Sequence, residues 1–347
     1  MMNESERILS AFAEMYFYKE LTQSNLLFLP PGKTQDELAD LMLNIGDSII
    51  IVQLKTRCFS SNTHKEESER KWLKRVTKNA KNQIKKTLCY LRSDTLLQFD
   101  NARGEKISAQ SPAAVQSVFI FDNEAIKDYP KIIESKSGNF TAHCFSFEDF
   151  KIICNALITP KEIYTYLEQR LQHYATYPYV DLIIFENVHD DLILVKPKSE
   201  EGLIGLFLAN SFGANNFEHY AQYTESFRFF LRNIPVRLVD SSEENAGSEI
   251  VRFLSLLVRE EIKLFMERLC QTREDSKVEA LHGPRASIRN DEVAIIFVAS
   301  SKDKKFYSMD TLWERALEKS DIRRLLQIVV YCEDSEDYRI DFCFAIR

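Results

Sequence analysis

The 347-residue sequence predicts an α/β protein: a helix, three strands, a second helix and a fourth strand, followed by a second, mixed α/β domain. Three observations lead there. Residues 37–55 form two apolar runs joined by Gly46-Asp47, a hairpin signal. Residues 5–22 and 66–91 repeat their apolar positions with helical spacing. The texture then changes after Phe121, and the chain is long enough for two cores, so residues 1–125 and 140–347 are read as separate domains.

Each N-terminal element has its own signal. Ile8, Leu9, Phe12, Met15 and Tyr16 mark one face of the first helix, with Ser5 as cap and Glu6 in the first turn. Residues 25–29 form a short strand closed by Pro30-Pro31-Gly32. The hairpin follows, then a polar loop over 58–65, the long helix, and a strand at 117–121.

The end of the hairpin carries the chemistry. Gln53 and Lys55 stand two residues apart after Ile-Ile-Ile-Val, so they share one face of their strand and leave Leu54 on the other. Asp40 lies on the neighbouring apolar segment. Together these three could hold a divalent metal and an attacking water, although polar residues also finish many strands simply because the chain emerges into solvent there. Glu37, three residues before Asp40, is expected to face away from it and is a secondary candidate. Glu14 lies beside the apolar face of the first helix and could project toward the same sheet.

The long helix has two stripes. Leu73, Val76, Ala80, Ile84, Leu88 and Leu91 should pack on the sheet, with Trp72 near the same edge. Lys74, Lys78, Lys81 and Lys85 form a stripe beside it, and no acid occurs between Arg70 and Arg92. Such a run is often only a solvated face. Here it is locally basic in a chain of net charge −7, which suits a polyanion track, since each neutralised phosphate releases counterions. Gln83 falls near Val76 on the apolar side, a position that asks for a hydrogen-bond partner.

This order and motif resemble the PD-(D/E)XK nuclease superfamily, the restriction-endonuclease-like fold, over about the first 125 residues. The resemblance implies an αβββαβ core in which Glu14 matches the helix acid and Asp40 the strand aspartate. Gln53 and Lys55 match the final pair, and Gln83 the polar residue of the following helix. Many members carry glutamate where this chain has Gln53; an amide oxygen ligates a hard cation without adding charge. The implied activity is Mg²⁺- or Mn²⁺-dependent hydrolysis of phosphodiester bonds, with Glu14, Asp40 and Gln53 as metal ligands. Lys55 and Gln83 would orient the water. The implied partner is DNA, with RNA left open. A homodimer would let two sites cut both strands. Members commonly serve prokaryotic restriction or antiviral defence, which would bring a defence-system partner protein. The alternative is a non-catalytic nucleic-acid-binding or scaffold protein on a degenerate nuclease fold.

Composition narrows the rest. No apolar run reaches the roughly 20 residues a membrane span needs, and no signal peptide precedes Glu4, so a cytoplasmic protein without membrane partners is expected. Seven scattered cysteines without C-x-x-C pairs read as free thiols in a reducing compartment. Pro30-Pro31-Gly32-Lys33-Thr34 imitates the end of a phosphate-binding loop, but Leu27 stands where its first glycine belongs.

In the second half, Ser146 should cap a helix through Leu157, and Pro160 should open another through Leu171. Strands are expected at 180–185, 192–196, 293–299, 326–332 and 338–346, and helices at 248–271 and 312–319. Residues 272–290 read as a loop. Tyr164, Tyr166, Tyr174, Tyr177 and Tyr179 could stack on bases, but core or interface is the commoner role.

Overall fold

The computed structural model describes residues 4–28, 36–57, 66–93, 97–109, 112, 114–123, 129–135, 139–176, 183–186, 192–195, 200–212, 221–237, 246–278, 284–289, 293–301, 324–332 and 338–346. The chain is α/β throughout and divides into two compact units, Met1–Phe217 and Glu218–Arg347. The texture change near residue 125 lies inside the first unit. The reason is that residues beyond it add two strands to the same sheet.

Helix α1 (Glu4–Phe17) ends earlier than expected because Tyr18 takes a left-handed φ of 63°, which turns the chain into strand β1 (Thr22–Phe28). Its buried face is Leu9, Ala13, Tyr16 and Phe17, while Ile8 and Met15, expected inside, are exposed. Strands β2 (Asp36–Ile45) and β3 (Ser48–Thr56) form the hairpin, with Gly46 at φ 62° in its two-residue turn. Helix α2 (Glu66–Leu91) then crosses over the sheet to strand β6 (Ala114–Asp122), which pairs parallel to β3 from Ser48–Ala114 to Thr56–Asp122. A small hairpin, β4 (Leu97–Asp100) and β5 (Lys106–Ala109), interrupts that crossover.

Strands β7 (Ile132–Ser135) and β8 (Phe140–Ser146) complete a six-stranded sheet of order β1-β2-β3-β6-β8-β7. On one face, Ala80, Ile84, Leu88 and Leu91 of α2 pack with Met42, Ile49, Ile51 and Phe119, and Trp72 lies edge-on to Phe121. The apolar stripe thus docks as its spacing predicts. Helix α3 (Phe147–Ala156) is capped by Ser146, whose hydroxyl accepts the Asp149 N–H at 3.0 Å. Helix α4 (Pro160–Thr176) opens on proline, with the Thr159 hydroxyl accepting the Glu162 N–H and the Glu162 carboxylate accepting the Ile158 N–H.

Arg170 of α4 is fully buried and forks onto Glu200 at the start of helix α5 (Glu200–Phe212), at 2.7 and 2.8 Å. The guanidinium also donates to the Lys131 carbonyl and stacks over Phe145. A buried charge persists only when paired in this way, so the fork ties α4 and α5 to the sheet. Tyr166 donates to the same glutamate, and Tyr164 and Tyr166 are both core residues. Burial beside Arg170 pushes the His143 imidazole down to about 3. Strands β9 (Ile183–Glu186) and β10 (Leu192–Val195) form a separate antiparallel pair.

The second unit holds helices α6 (Ala221–Arg237), α7 (Ala246–Leu254) and α8 (Arg259–Ser276), and a sheet of strands β11 (Pro284–Arg289), β12 (Val293–Ser301), β13 (Arg324–Cys332) and β14 (Tyr338–Ile346) in that order. The single helix expected over 248–271 is two, broken at 255–258. The expected loop over 272–290 holds the end of α8 and β11. The expected helix over 312–319 and the Pro30–Thr34 segment lie outside the described residues, as do Tyr177 and Tyr179. No described helix is long and apolar enough to cross a membrane. The six described cysteines are free thiols.

Candidate active site

The β2–β3 ladder runs from Ile45–Ser48 to Leu41–Val52 and ends there. Beyond it the two strands are joined by side chains. The Leu54 N–H donates to Oδ2 of Asp40 at 2.7 Å, and the Gln53 amide nitrogen donates to the Leu38 carbonyl at 3.2 Å. This gap between strands is where the polar residues collect.

Asp40, Gln53 and Lys55 meet at one point. The Lys55 ammonium lies 3.5 Å from Oδ2 of Asp40 and donates to Oε1 of Gln53 at 3.1 Å. The parity of the two strands brings them together, since cross-strand neighbours share a face and Gln53 and Lys55 follow each other on it. Gln53 is completely buried and Asp40 nearly so, at 8 % exposure. Lys55, half-buried, is the member that reaches solvent.

Glu37 joins them, contrary to the expectation that it faces away. Opposite it, β1 advances by one residue, from Leu26 to Leu27, while β2 advances by two, from Ala39 to Glu37. Leu38 is the extra residue of a β-bulge. The insertion shifts the side-chain alternation by one, so Glu37 shares the face of Asp40. Shielding by the protein, the Asp40 charge and a hydrogen bond to Asp40 together raise the Glu37 carboxyl above its ordinary value; Lys55 opposes them, and Glu6 adds to them. Two carboxylates held this close favour a shared proton or a bound cation.

The bulge is pinned from two directions. The Leu38 carbonyl takes the Gln53 amide from β3 and the Thr87 hydroxyl from α2. Thr87 also bonds the carbonyl of Gln83, one turn earlier. Gln83 is therefore on the face that meets the site, half-buried, while Thr87 makes the contact that sequence spacing assigned to Gln83. The signal that could have found Thr87 is a polar β-branched residue next to Leu88 inside the apolar stripe.

Glu14 is held elsewhere. It lies 3.6 Å from Lys19 and accepts from Ser10 at 3.5 Å, and Ser10 in turn bonds Ser24 of β1 at 2.6 Å. The α1 acid whose charge reaches Glu37 is Glu6, in the first turn.

Lys74, Lys78 and Lys85 are exposed along α2, as their stripe predicts, whereas Lys81 is half-buried and donates to the Glu134 carbonyl of β7 at 3.2 Å. Near Lys55, the end of β3 and the start of α2 border a cleft of about 720 Å³ carrying Arg57, Lys71 and Arg75. Arg57 there pairs with Glu69 at 2.9 Å, and Glu69 bonds Asn123.

As a donor set for a hard cation, the carboxylates of Glu37 and Asp40 fit, because they are adjacent oxygen ligands on one face. Gln53 fits less well, since its oxygen holds Lys55 and its nitrogen holds Leu38. No group of three or more His, Cys, Asp or Glu side chains poised for a metal occurs among the described residues. No protein-family model, curated protein or solved structure matches the chain.

Proposed function

We propose that this chain is a metal-dependent nuclease that hydrolyses phosphodiester bonds in DNA, and that its first unit carries a PD-(D/E)XK-like site. The observation that supports this reading most is the convergence of Glu37, Asp40 and Lys55 at the open end of the β2–β3 pair. An order of helix, three strands, helix and a strand parallel to the third supports it as well. A structural salt bridge alone would need neither a second acid against Asp40 nor a solvent-reaching lysine.

In this reading Glu37 and Asp40 hold Mg²⁺ or Mn²⁺, which when bound supplies Lewis acidity and a more acidic water. Lys55 orients that water and offsets charge on the phosphate. Gln53 holds the Lys55 ammonium in place, and with Thr87 it fixes the bulge that aligns the acids. Leu54 N–H keeps the Asp40 carboxylate in one rotamer. The exposed lysines of α2 attract the nucleic-acid backbone.

The test is purified protein with supercoiled plasmid and Mg²⁺ or Mn²⁺, with and without EDTA. Nicking or linearisation should require the metal, and Lys55→Ala should slow it by at least about 100-fold, on the scale of losing one transition-state contact. Binding of a labelled duplex in EDTA should persist in that variant. Intact wild-type protein that binds the duplex but never cuts it would favour the non-catalytic alternative, in which the Lys55–Asp40 pair is a structural filler.

A further inference from the structure

The second unit contains a cavity of about 460 Å³ between α6, α8 and β14, well within the size range of small-molecule sites. Phe229 and Phe230 of α6, Leu269 of α8 and Phe342 of β14 supply apolar wall, and Phe230 packs 6.0 Å from Phe342. Phe229 is 69 % exposed at its edge, an unusual exposure for a large aromatic ring.

Two charged groups break the apolar lining, Arg273 of α8 and Glu225 of α6. Arg273 has its guanidinium carbon 4.5 Å over the Tyr338 ring, and its Nε is buried without a hydrogen-bond partner among the described residues. Arg273 is half-buried and borders apolar wall, a setting that favours an anionic partner for its guanidinium. Its neighbour Glu274 is bound by Lys277 at 2.9 Å and also feels the Arg273 charge, from an exposed position. Glu225 also lines the cavity, but it is exposed, so water screens its charge more than that of Arg273.

We infer that this cavity is a binding site for a small anionic amphiphile: an aromatic or branched apolar body against the phenylalanines, and a carboxylate, sulfonate or phosphate accepting from Arg273. The inference concerns the second unit alone and stands whether or not the first unit cuts DNA.

The test uses the full chain and two fluorescent probes of similar body, anionic 8-anilinonaphthalene-1-sulfonate and uncharged N-phenyl-1-naphthylamine. Wild-type protein should bind both saturably with one site each. Arg273→Gln should weaken the anionic probe at least about tenfold, the scale of one charge-assisted hydrogen bond, and leave the neutral probe within about twofold. Cys270→Trp, which places an indole on an exposed lining position, should remove both while circular dichroism shows a folded chain. Absence of saturable binding to wild type would overturn the site. Equal weakening of both probes by Arg273→Gln would overturn the anionic assignment, and unchanged binding to Cys270→Trp would overturn its location.

Discussion

Gln53 and Leu38 are joined across the open end of the hairpin, the side-chain amide nitrogen of one donating to the backbone carbonyl of the other at 3.2 Å. The bond satisfies a carbonyl at the bulge, and it uses the part of Gln53 that a glutamate lacks. Gln53→Glu removes one of that carbonyl's two donors, leaving the Thr87 hydroxyl, and sets a buried carboxylate oxygen against it, so it should lower stability by about 1–3 kcal/mol, as read in urea melts. A metal-ligating Gln53 would instead gain charge in the same substitution, giving tighter metal binding and unimpaired cleavage. A Gln53→Glu protein as stable as wild type with higher Mg²⁺ affinity would restore the amide to the ligand set.

Glu37 ties site chemistry to pH. The fold holds its proton above the ordinary value of 4.5, through partial shielding of a still exposed side chain first and Asp40 second. Stability from this group is thus complete below that value and declines as pH rises through the raised one. Glu37→Gln should melt higher than wild type at neutral pH, with the difference closing below pH 4.5. Millimolar Mg²⁺ should raise the wild-type melting temperature and leave Glu37→Gln unmoved. Equal responses of both proteins to Mg²⁺ would remove Glu37 from the donor set.

The basic helix separates into contacts with different jobs. Changing Lys74, Lys78 and Lys85 together to glutamine should flatten the salt dependence of duplex binding by about 2–3 in log–log slope, with the melting temperature unchanged. Lys81→Gln should instead loosen the contact with Glu134 on β7, showing mainly as a small loss of stability. An unaltered slope in the triple variant would make the stripe a solvated face and nothing more.

The Arg170–Glu200 fork predicts a large structural effect far from the acids. Glu200→Gln leaves the buried guanidinium without its counter-charge and should cost about 3–5 kcal/mol in denaturant melts. His143, pushed down to about 3, stays neutral in the fold while the unfolded chain takes up a proton near the ordinary 6.5. Its contribution is full above 6.5 and is lost as pH falls toward 3, so wild type should destabilise progressively through that window. His143→Phe should shallow the pH dependence there, and an identical profile would assign the acid lability to other groups.

Much of this was legible in the residues. The convergence of Asp40, Gln53 and Lys55 followed from strand alternation and a two-residue turn, both local rules. The docking face of α2 followed from its period. Glu37 was not legible, because one inserted residue in a strand reverses its facing and leaves no trace in composition. Glu14 departs for a related reason: apolar spacing puts Ile8 and Met15 on the inner face of α1, whereas the buried side runs through Leu9, Ala13 and Phe17. The strands β7 and β8 are short and polar at their ends, so their pairing with β6 depends on long-range partners.

The bulge at Leu38 also fixes when the acids can come into line. Its carbonyl is satisfied by residue 53 from the hairpin and by residue 87 from the far half of α2, contacts 15 and 49 residues away in sequence. A hairpin freshly emerged from the ribosome has the first partner and lacks the second. Alignment of Glu37 with Asp40 therefore rests on tertiary contacts, with the crossover helix and with β1, as well as on the hairpin. A peptide covering 36–57 should hold the turn and still fail to reproduce the carboxyl pair.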